Sequence, residues 1–216
     1  MKPDALINGV SMLSLGWLRE TVYFPTPQSQ SNTITVPGRN SPIRFTEALG
    51  RVAYQPRSFD MIFSMLGDRA DFDILLSAVV NQFSGKLCRV TLTEDPTLYA
   101  VGTLEAEPSY DPKTGKGTLT LSSTDGDAFL YHVEETVVSI SSSGTVILAN
   151  DYMPVVPVIT VTTETTLRWS IDGEAFQKTI SAGKWEMPEL ELRHGENAIS
   201  VTGEGVTTFT YREGRL

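Results

Sequence analysis

The chain has 216 residues, of which 40% are hydrophobic and 20% charged, a composition typical of folded proteins and not of disordered ones. The 17 lysines and arginines face 26 aspartates and glutamates, a net charge of -9, which argues against sequence-independent binding of nucleic acid. One cysteine excludes an intrachain disulfide and a CxxC pair. The first residues lack a signal-peptide apolar run, and no apolar segment approaches the ~18 residues that span a bilayer. We therefore expect synthesis without secretion and no membrane insertion.

The first predicted elements are a strand and a helix. Residues 51–66 alternate apolar and polar side chains, which is the period of a half-buried strand. From Asp68 to Gly85 the apolar residues instead follow the spacing of one helical face. They are Phe72, Leu75, Leu76, Val79, Val80 and Phe83. Asp68 is expected to cap the first turn, Asp71 to add favourable negative charge there, and Gly85 to end the helix in a left-handed conformation.

Strand patterns return after the helix, at Leu87–Thr93, Leu98–Glu105 and Gly117–Ser123. The last two are joined by residues 110–117, which are dense in turn formers and predict a long hairpin. A further strand pattern at Glu135–Ile140 is followed by small polar residues. We place a domain boundary there, between an N-terminal domain of residues 1–145 and a C-terminal domain of residues 146–216.

The C-terminal domain shows strand patterns about every ten residues, each ended by a turn signal. They are Val155–Thr163, Leu167–Ile171, Phe176–Ile180, Glu186–Leu192, Ala198–Thr202 and Val206–Tyr211. Glycines in the intervening turns, including Gly203 and Gly205, are expected to supply positive φ angles. The predicted fold class is mainly β: an N-terminal β-rich domain with one amphipathic helix and a long hairpin, followed by a C-terminal antiparallel β-sandwich.

Motifs of catalysis are missing from the sequence. It lacks a P-loop, a GxSxG elbow and a dinucleotide-binding GxGxxG. Its two histidines stand far apart, with no second histidine or cysteine at metal-ligand spacing, so a zinc site would have to be built from carboxylates. Paired carboxylates such as Glu105 and Glu107 leave open a glycoside hydrolase, which needs two carboxyl groups at a fixed separation. We predict no catalytic, cofactor-binding or metal-binding residues, and expect that the protein is not an enzyme.

Aromatic residues of the C-terminal domain suggest a different function. Trp185 and Tyr152 are candidate sugar contacts, because antiparallel sandwiches can present such side chains to carbohydrates. This alternative is a carbohydrate-binding module that contacts host-surface sugars. A core or interface role for these aromatic residues, and for Trp17, is the competing interpretation.

Several segments, taken in chain order, resemble the distal tail protein (Dit) family of long-tailed bacteriophages. They are Ile7-Asn8-Gly9-Val10, Leu15-Gly16-Trp17, Val36-Pro37-Gly38-Arg39-Asn40, the strand that bears Arg57, the amphipathic helix, and Leu98-Tyr99-Ala100-Val101-Gly102. The C-terminal segments Asn197-Ala198-Ile199-Ser200-Val201 and Phe209-Thr210-Tyr211-Arg212 are similar to the accessory sandwich of that family. The resemblance covers nearly the whole chain and is concentrated in residues 1–140.

This resemblance implies a structural protein of the virion tail tip, synthesised and assembled in the cytoplasm of the host bacterium. Members of the family form a six-fold ring, a hub that connects the tail-tube protein to baseplate or tail-fibre proteins. The genome passes through the central opening, without sequence-specific binding of nucleic acid. No cofactor is implied.

The positions that match the family markers are the candidate assembly-interface residues. They are Trp17, Pro37, Gly38, Arg39 and Arg57. We expect Pro37 and Gly38 to form a turn that presents Arg39 to a carboxylate, either across a subunit boundary or within the same subunit, where a surface salt bridge contributes little. Edge strands of the N-terminal sheet are a second candidate surface, because their unpaired backbone groups can bind a neighbouring chain.

Overall fold

The computed structural model describes residues 3–31, 33–44 and 51–216. Two compact units divide the chain, Met1–Leu130 and Tyr131–Leu216. The boundary therefore precedes the predicted one between residues 145 and 146, because the strand Thr136–Ile140 pairs with Thr207–Tyr211 of the second unit. Most of the described chain is β-structure, which confirms the predicted fold class.

The N-terminal unit contains a helix and nine strands in its described part. They are β1 (Ala5–Ile7), β2 (Val10–Ser11), β3 (Leu18–Tyr23), β4 (Thr33–Ile34), β5 (Ile43–Arg44), β6 (Arg57–Leu66), α1 (Arg69–Phe83), β7 (Lys86–Leu92), β8 (Asp95–Asp111) and β9 (Lys116–Gly126). Seven strands form one antiparallel sheet in the order β2-β1-β7-β8-β9-β6-β3. Strands β4 and β5 pair only with each other among the described strands.

One face of this sheet packs with helix α1 into a single apolar core. Phe59, Met61 and Phe63 of β6 are buried there, as are Leu119 and Leu121 of β9. These residues alternate along their strands with solvent-facing ones, as the period-two pattern predicts. Side chains from the helix complete the core, and they are Phe72, Val79 and Phe83.

The helix begins and ends as the sequence predicts. The Asp68 carboxylate accepts a hydrogen bond from the Asp71 amide at 2.9 Å, which satisfies a free donor of the first turn. Gly85 has a φ of 70°, in the left-handed region that favours glycine. Its amide donates a hydrogen bond to the Leu104 carbonyl of β8 at 2.7 Å, and not to a carbonyl of the helix. The chain therefore passes directly from the helix into the sheet.

Strands β8 and β9 form the long hairpin that the sequence predicts, with arms longer than expected. Their pairing runs from Glu105 opposite Ser122 to Asp111 opposite Lys116. Much of the turn-rich stretch 110–117 is therefore strand. Only the four residues between Asp111 and Lys116 turn the chain, with Gly115 at a φ of 66°.

The C-terminal unit is a β-sandwich, as predicted. Its elements are β10 (Leu130–His132, which spans the boundary), β11 (Thr136–Ile140), β12 (Gly144–Asn150), β13 (Val158–Val161), β14 (Thr165–Ile171), β15 (Glu174–Ile180), β16 (Gly183–Glu186), β17 (Gly195–Thr202), β18 (Thr207–Tyr211) and β19 (Gly214–Arg215). Two four-stranded sheets, β11-β18-β13-β16 and β12-β17-β14-β15, enclose a second apolar core. Leu167 and Trp169 of β14 and Ile199 and Val201 of β17 alternate with more exposed residues along their strands and are buried in this core.

Two local predictions in this unit are wrong. The strand predicted at Glu186–Leu192 ends at Glu186, and the chain turns with a hydrogen bond from the Leu190 amide to the Met187 carbonyl. The intervening Pro188 cannot donate to a strand ladder. Gly203 and Gly205 do not have positive φ angles. A side chain at either position would instead meet threonine hydroxyls at under 3 Å, so these glycines are required for space.

Candidate assembly interface

Residues 25–56 leave the N-terminal sheet after β3 and return to it at β6. We call this segment the arm. Near its root the Gln30 amide donates to the Ala53 carbonyl and the Gln55 amide to the Gln28 carbonyl, both at 2.8 Å. Farther out, β4 and β5 pair Ile34 with Ile43. The described part of the arm is therefore a hairpin outside the main sheet.

Aromatic contacts fix the root of the arm to the unit. The Phe24 ring stacks on Phe59, with ring centroids 4.6 Å apart and planes 9° from parallel. Tyr54, on the returning side, meets Phe129 edge to face at 5.8 Å. Such ring pairs stabilise by about 0.5–1.5 kcal/mol beyond their burial. Both ends of the arm are therefore anchored.

Arg57 adds hydrogen bonds at the same root of the arm. Its side chain is 3% exposed and donates from Nε and Nη2 to the Ala128 carbonyl, at 3.1 and 2.8 Å, and from Nη1 to the Pro25 carbonyl, at 3.0 Å. Burial lowers its pKa, but a guanidinium stays charged in proteins. Arg57 thus joins the first residue of the arm to the segment after β9.

The tip of the arm is a turn, as the sequence predicts. The Arg39 amide donates to the Val36 carbonyl at 3.1 Å, and Gly38 has a φ of 82°. A type II turn requires a positive φ at this position and favours proline before it, where Pro37 stands. The turn therefore has the geometry that its residue types favour.

The tip exposes both charge and apolar surface. Arg39 is exposed, and its guanidinium forms no ion pair with any residue that the structure describes. The intrasubunit salt bridge expected as one alternative is therefore absent from the described part of the chain. Ile34 and Val36 are 54% and 37% exposed, although they are β-branched apolar residues. The exposed tip is therefore partly apolar as well as charged.

Trp17 lies in the core and not on the surface. Its side chain is fully buried, its ring meets Phe72 edge to face at 6.0 Å, and its Nε1 donates to the Leu75 carbonyl of helix α1 at 3.4 Å. Trp17 and Arg57 therefore offer no side-chain surface to a neighbouring subunit, which corrects their assignment as direct interface residues. Pro37, Gly38 and Arg39 stand at the exposed tip.

The structure also identifies the edges of the N-terminal sheet, which the sequence does not reveal. Its strand order ends at β2 on one side and at β3 on the other. Strand β2 has two residues, whereas β3 has six and exposes Leu18 and Tyr23. No described strand pairs with the outer side of β3, which makes it the larger of the two edges for pairing with another chain.

The two candidate sugar contacts differ in exposure. Tyr152 is 61% exposed, and its ring stacks on His194 with centroids 4.2 Å apart and planes 8° from parallel. Trp185 is half-buried against the sandwich core, and its Nε1 donates to the Ser181 carbonyl at 2.9 Å. Trp185 belongs to β16, whereas Tyr152 follows β12 of the other sheet. Only Tyr152 presents a largely free ring face.

The acidic residues Glu105, Glu107 and Asp125 have exposed side chains. Glu105 and Glu107 are exposed on the same face of β8, as their parity predicts. The Asp125 carboxylate accepts hydrogen bonds from the Thr103 amide at 2.8 Å and the Ser123 hydroxyl at 3.0 Å. The bonds from Thr103 are the main cause that lowers the pKa of Asp125. A general acid requires a raised pKa, so Asp125 does not suit that role.

Within residues 3–31, 33–44 and 51–216, no three His, Cys, Asp or Glu side chains are grouped so that they could hold a metal ion. None of the helices in these ranges is long and apolar enough to cross a membrane.

Comparison with known proteins finds a similar fold. No family model and no curated protein matches the sequence. Among solved structures, the chain is similar to the crystal structure of the SPP1 Dit (gp 19.1) protein, described as a paradigm of the hub adsorption apparatus in phages that infect Gram-positive bacteria. The TM-score is 0.71 at 13% sequence identity, and the match covers 100% of both chains. The chain therefore has a Dit-like fold, as the sequence resemblance implied.

Proposed function

We propose that this protein is a structural subunit of a bacteriophage or prophage tail tip, with six copies forming a ring-shaped hub. The observation that carries this proposal is the full-length match to the fold of a phage hub protein. The exposed turn at the arm tip, outside the main sheet, also supports a role in assembly. The partners we propose are the tail-tube protein and a baseplate or tail-fibre protein.

A ring requires two different surfaces on each subunit. Head-to-tail contacts place one patch against another, and they close when the rotation between neighbours permits. The N-terminal unit offers such non-identical features: the arm tip with Arg39, and the free edge of β3. Both lie outside its core, so either can be covered by a neighbour without rearrangement of the fold.

The negative charge on one face of the N-terminal sheet supports passage of DNA through the ring. Glu105 and Glu107 point to one exposed face of the sheet, and Asp60 is aligned with Glu105 through Ser122 of the intervening β9. A lumen lined by such carboxylates would repel phosphates and release no counterions, so DNA could pass without being bound. We include this lining in the proposal.

The oligomeric mass in solution tests the ring directly. Light scattering across a concentration series should show a species of about six times 23.7 kDa that grows with concentration, because mass action governs assembly. A strict monomer at all concentrations, including the highest that remains soluble, would contradict the ring. The virion tail tip, after synthesis in the host cytoplasm, is the location that this function implies.

A second candidate function is carbohydrate binding by the C-terminal sandwich. The exposed ring of Tyr152, held flat by its stack on His194, is the observation that favours it. Aromatic faces of this kind can pack against the apolar face of a sugar, and this role could coexist with the ring. Trp185 remains a weaker candidate, because its indole is partly buried and already donates within the unit.

Calorimetric titration with soluble oligosaccharides of glucose, galactose and N-acetylglucosamine tests this alternative. Tyr152→Ala should abolish any binding that the wild type shows. Tyr23→Ala is a matched control, because Tyr23 is a tyrosine with the same 61% exposure in the other unit. Binding that survives Tyr152→Ala unchanged would contradict the proposed platform.

A further inference from the structure

The N-terminal unit contains an apolar recess of about 190 Å³ that lies at the root of the arm. Its lining residues come from β7, β8 and β10, and from the segment after β3. They are Phe24, Val90, Leu92, Asp95, Leu98, Tyr99, Ala100 and Leu130. Asp95 is the only charged residue of this lining.

The size and chemistry of the recess suit an aliphatic side chain. An engineered apolar cavity of about 150 Å³ is large enough to bind benzene, so this volume accommodates the side chain of an isoleucine or valine. Val90, Leu98 and Ala100 are almost fully buried and supply apolar walls. An occupant with a hydrocarbon side chain would remove this surface from water, which is favourable.

The arm tip has the complementary chemistry. Ile34 and Val36 expose apolar surface, and Arg39 and Arg44 add positive charge beside them. By sequence, the arm contains three arginines and one glutamate, a net charge of +2. The rest of the chain then has 14 basic and 25 acidic residues, a net charge of -11. A basic, apolar-tipped segment on an acidic protein favours binding to the acidic surface of another copy.

A copy's own tip does not fill its own recess. Phe24 of the recess lies at the root of the arm, and no residue of the tip is among those that line it. Among the described residues, the tip of a copy therefore does not occupy the recess of the same copy, and we take a second copy as the occupant.

We infer that the arm tip of one copy inserts the side chain of Ile34 into the recess at the arm root of the next copy. This inference rests on the proposed ring function and specifies one of its contacts. Each copy then donates one tip and accepts another, which is the head-to-tail arrangement that closes rings.

Engineered cysteines test the contact between copies. Ile34→Cys is combined with Leu92→Cys or, separately, with Leu98→Cys, and the assembled protein is exposed to mild oxidation. The native Cys88 can stay in place, because it is buried and burial raises the pKa of its thiol, which keeps it unreactive. Insertion predicts a ladder of covalent oligomers from at least one pair, since a disulfide requires Cβ atoms about 4 Å apart. Ile34→Cys with the exposed Leu87→Cys is the control and should give no ladder.

A substitution at the tip supplies a second readout. Ile34→Asp should weaken assembly by about tenfold to a hundredfold, the effect of exposing or charging one buried aliphatic side chain. Ile74→Asp is the matched control, since Ile74 is an exposed isoleucine on helix α1, and it should assemble like the wild type.

The outcomes separate this inference from the proposed function. A wild-type ring with no ladder from either pair, or with an unchanged Ile34→Asp ring, would overturn the insertion and leave the ring standing. Covalent oligomers together with weakened Ile34→Asp assembly would support it. A wild type that remains monomeric at every concentration contradicts the ring itself, and the insertion with it, before any variant is made.

Discussion

The Arg57 guanidinium donates two hydrogen bonds to the same carbonyl oxygen of Ala128, from Nε at 3.1 Å and from Nη2 at 2.8 Å. A third hydrogen bond reaches the Pro25 carbonyl. A planar fork with fixed donors makes this arrangement possible, and lysine cannot reproduce it. This residue, identified from the sequence as an interface candidate, acts within the subunit by holding the root of the arm.

Replacing Arg57 should destabilise the N-terminal unit. Arg57→Met leaves the buried Ala128 and Pro25 carbonyls without these donors, so we expect the free energy of unfolding to fall by about 2–4 kcal/mol. Urea unfolding, with hydrogen exchange of amides in the N-terminal unit as the readout, measures the decrease in the free energy of unfolding. Arg39→Met is the control, and its effect should stay within about 0.5 kcal/mol because the side chain is exposed. Equal stability of the Arg57 variant and the control would contradict a stabilising role for the Arg57 hydrogen bonds.

Reversing the charge at the arm tip should affect assembly and not folding. Arg39 is exposed and without an ion pair among the described residues, so Arg39→Glu should leave the unfolding curve unchanged. It should shift ring formation to higher concentration, because the tip then repels an acidic neighbour. Light scattering reports the mass. Lys113→Glu makes the same charge change in the β8–β9 turn, and if both variants assemble like the wild type, Arg39 is not at the interface.

We expect the folding stability of the protein to depend on the ionisation of Asp125 at acidic pH. Hydrogen bonds from Thr103, and then from Ser123, lower its pKa in the folded state. The stabilisation is therefore present above the unfolded value of about 3.9 and is lost as the pH falls through the folded pKa. Asp125→Asn should be less stable than the wild type at pH 7, and the difference should shrink steadily below pH ~4. Chemical denaturation at several pH values tests this, with exposed Glu107→Gln as the control; a difference that persists in acid would refute it.

We expect the folding stability of the protein to depend on the ionisation of Tyr211 at alkaline pH. Burial, and secondarily the charge of Glu213, raises the pKa of Tyr211 to about 12. Its hydroxyl donates to the Ala149 carbonyl. The stabilisation is fully present below the unfolded pKa of about 10 and is lost as the pH rises to about 12. Tyr211→Phe should be less stable at pH 8, and its stability should fall less between pH 10 and pH 12. Tyr23→Phe, at an exposed position, should behave like the wild type in both ranges.

Periodic elements were predictable because their signal is local. The apolar spacing from Phe72 to Phe83 defines the buried side of helix α1, and regular turns define the C-terminal sandwich. The Pro37-Gly38 turn was also predictable, since its residue types set their own backbone angles. In each of these cases the determining residues lie close together in the chain.

The remaining features depend on contacts between distant residues. Trp17 matched an interface marker, but its surroundings come from helix α1 more than fifty residues later, so its burial was not visible in the sequence. The two-residue strands of the arm are too short to show a period. The recess is formed by side chains that converge only after folding, and the same holds for the edges of the sheet.

Electron-microscope class averages of the assembled fraction show directly whether the copies form a ring. Wild-type particles should have six-fold symmetry and an open centre, and they should be depleted in the Ile34→Asp variant. Averages that show two-fold particles, or closed particles without a central opening, would contradict a ring-shaped hub through which DNA passes.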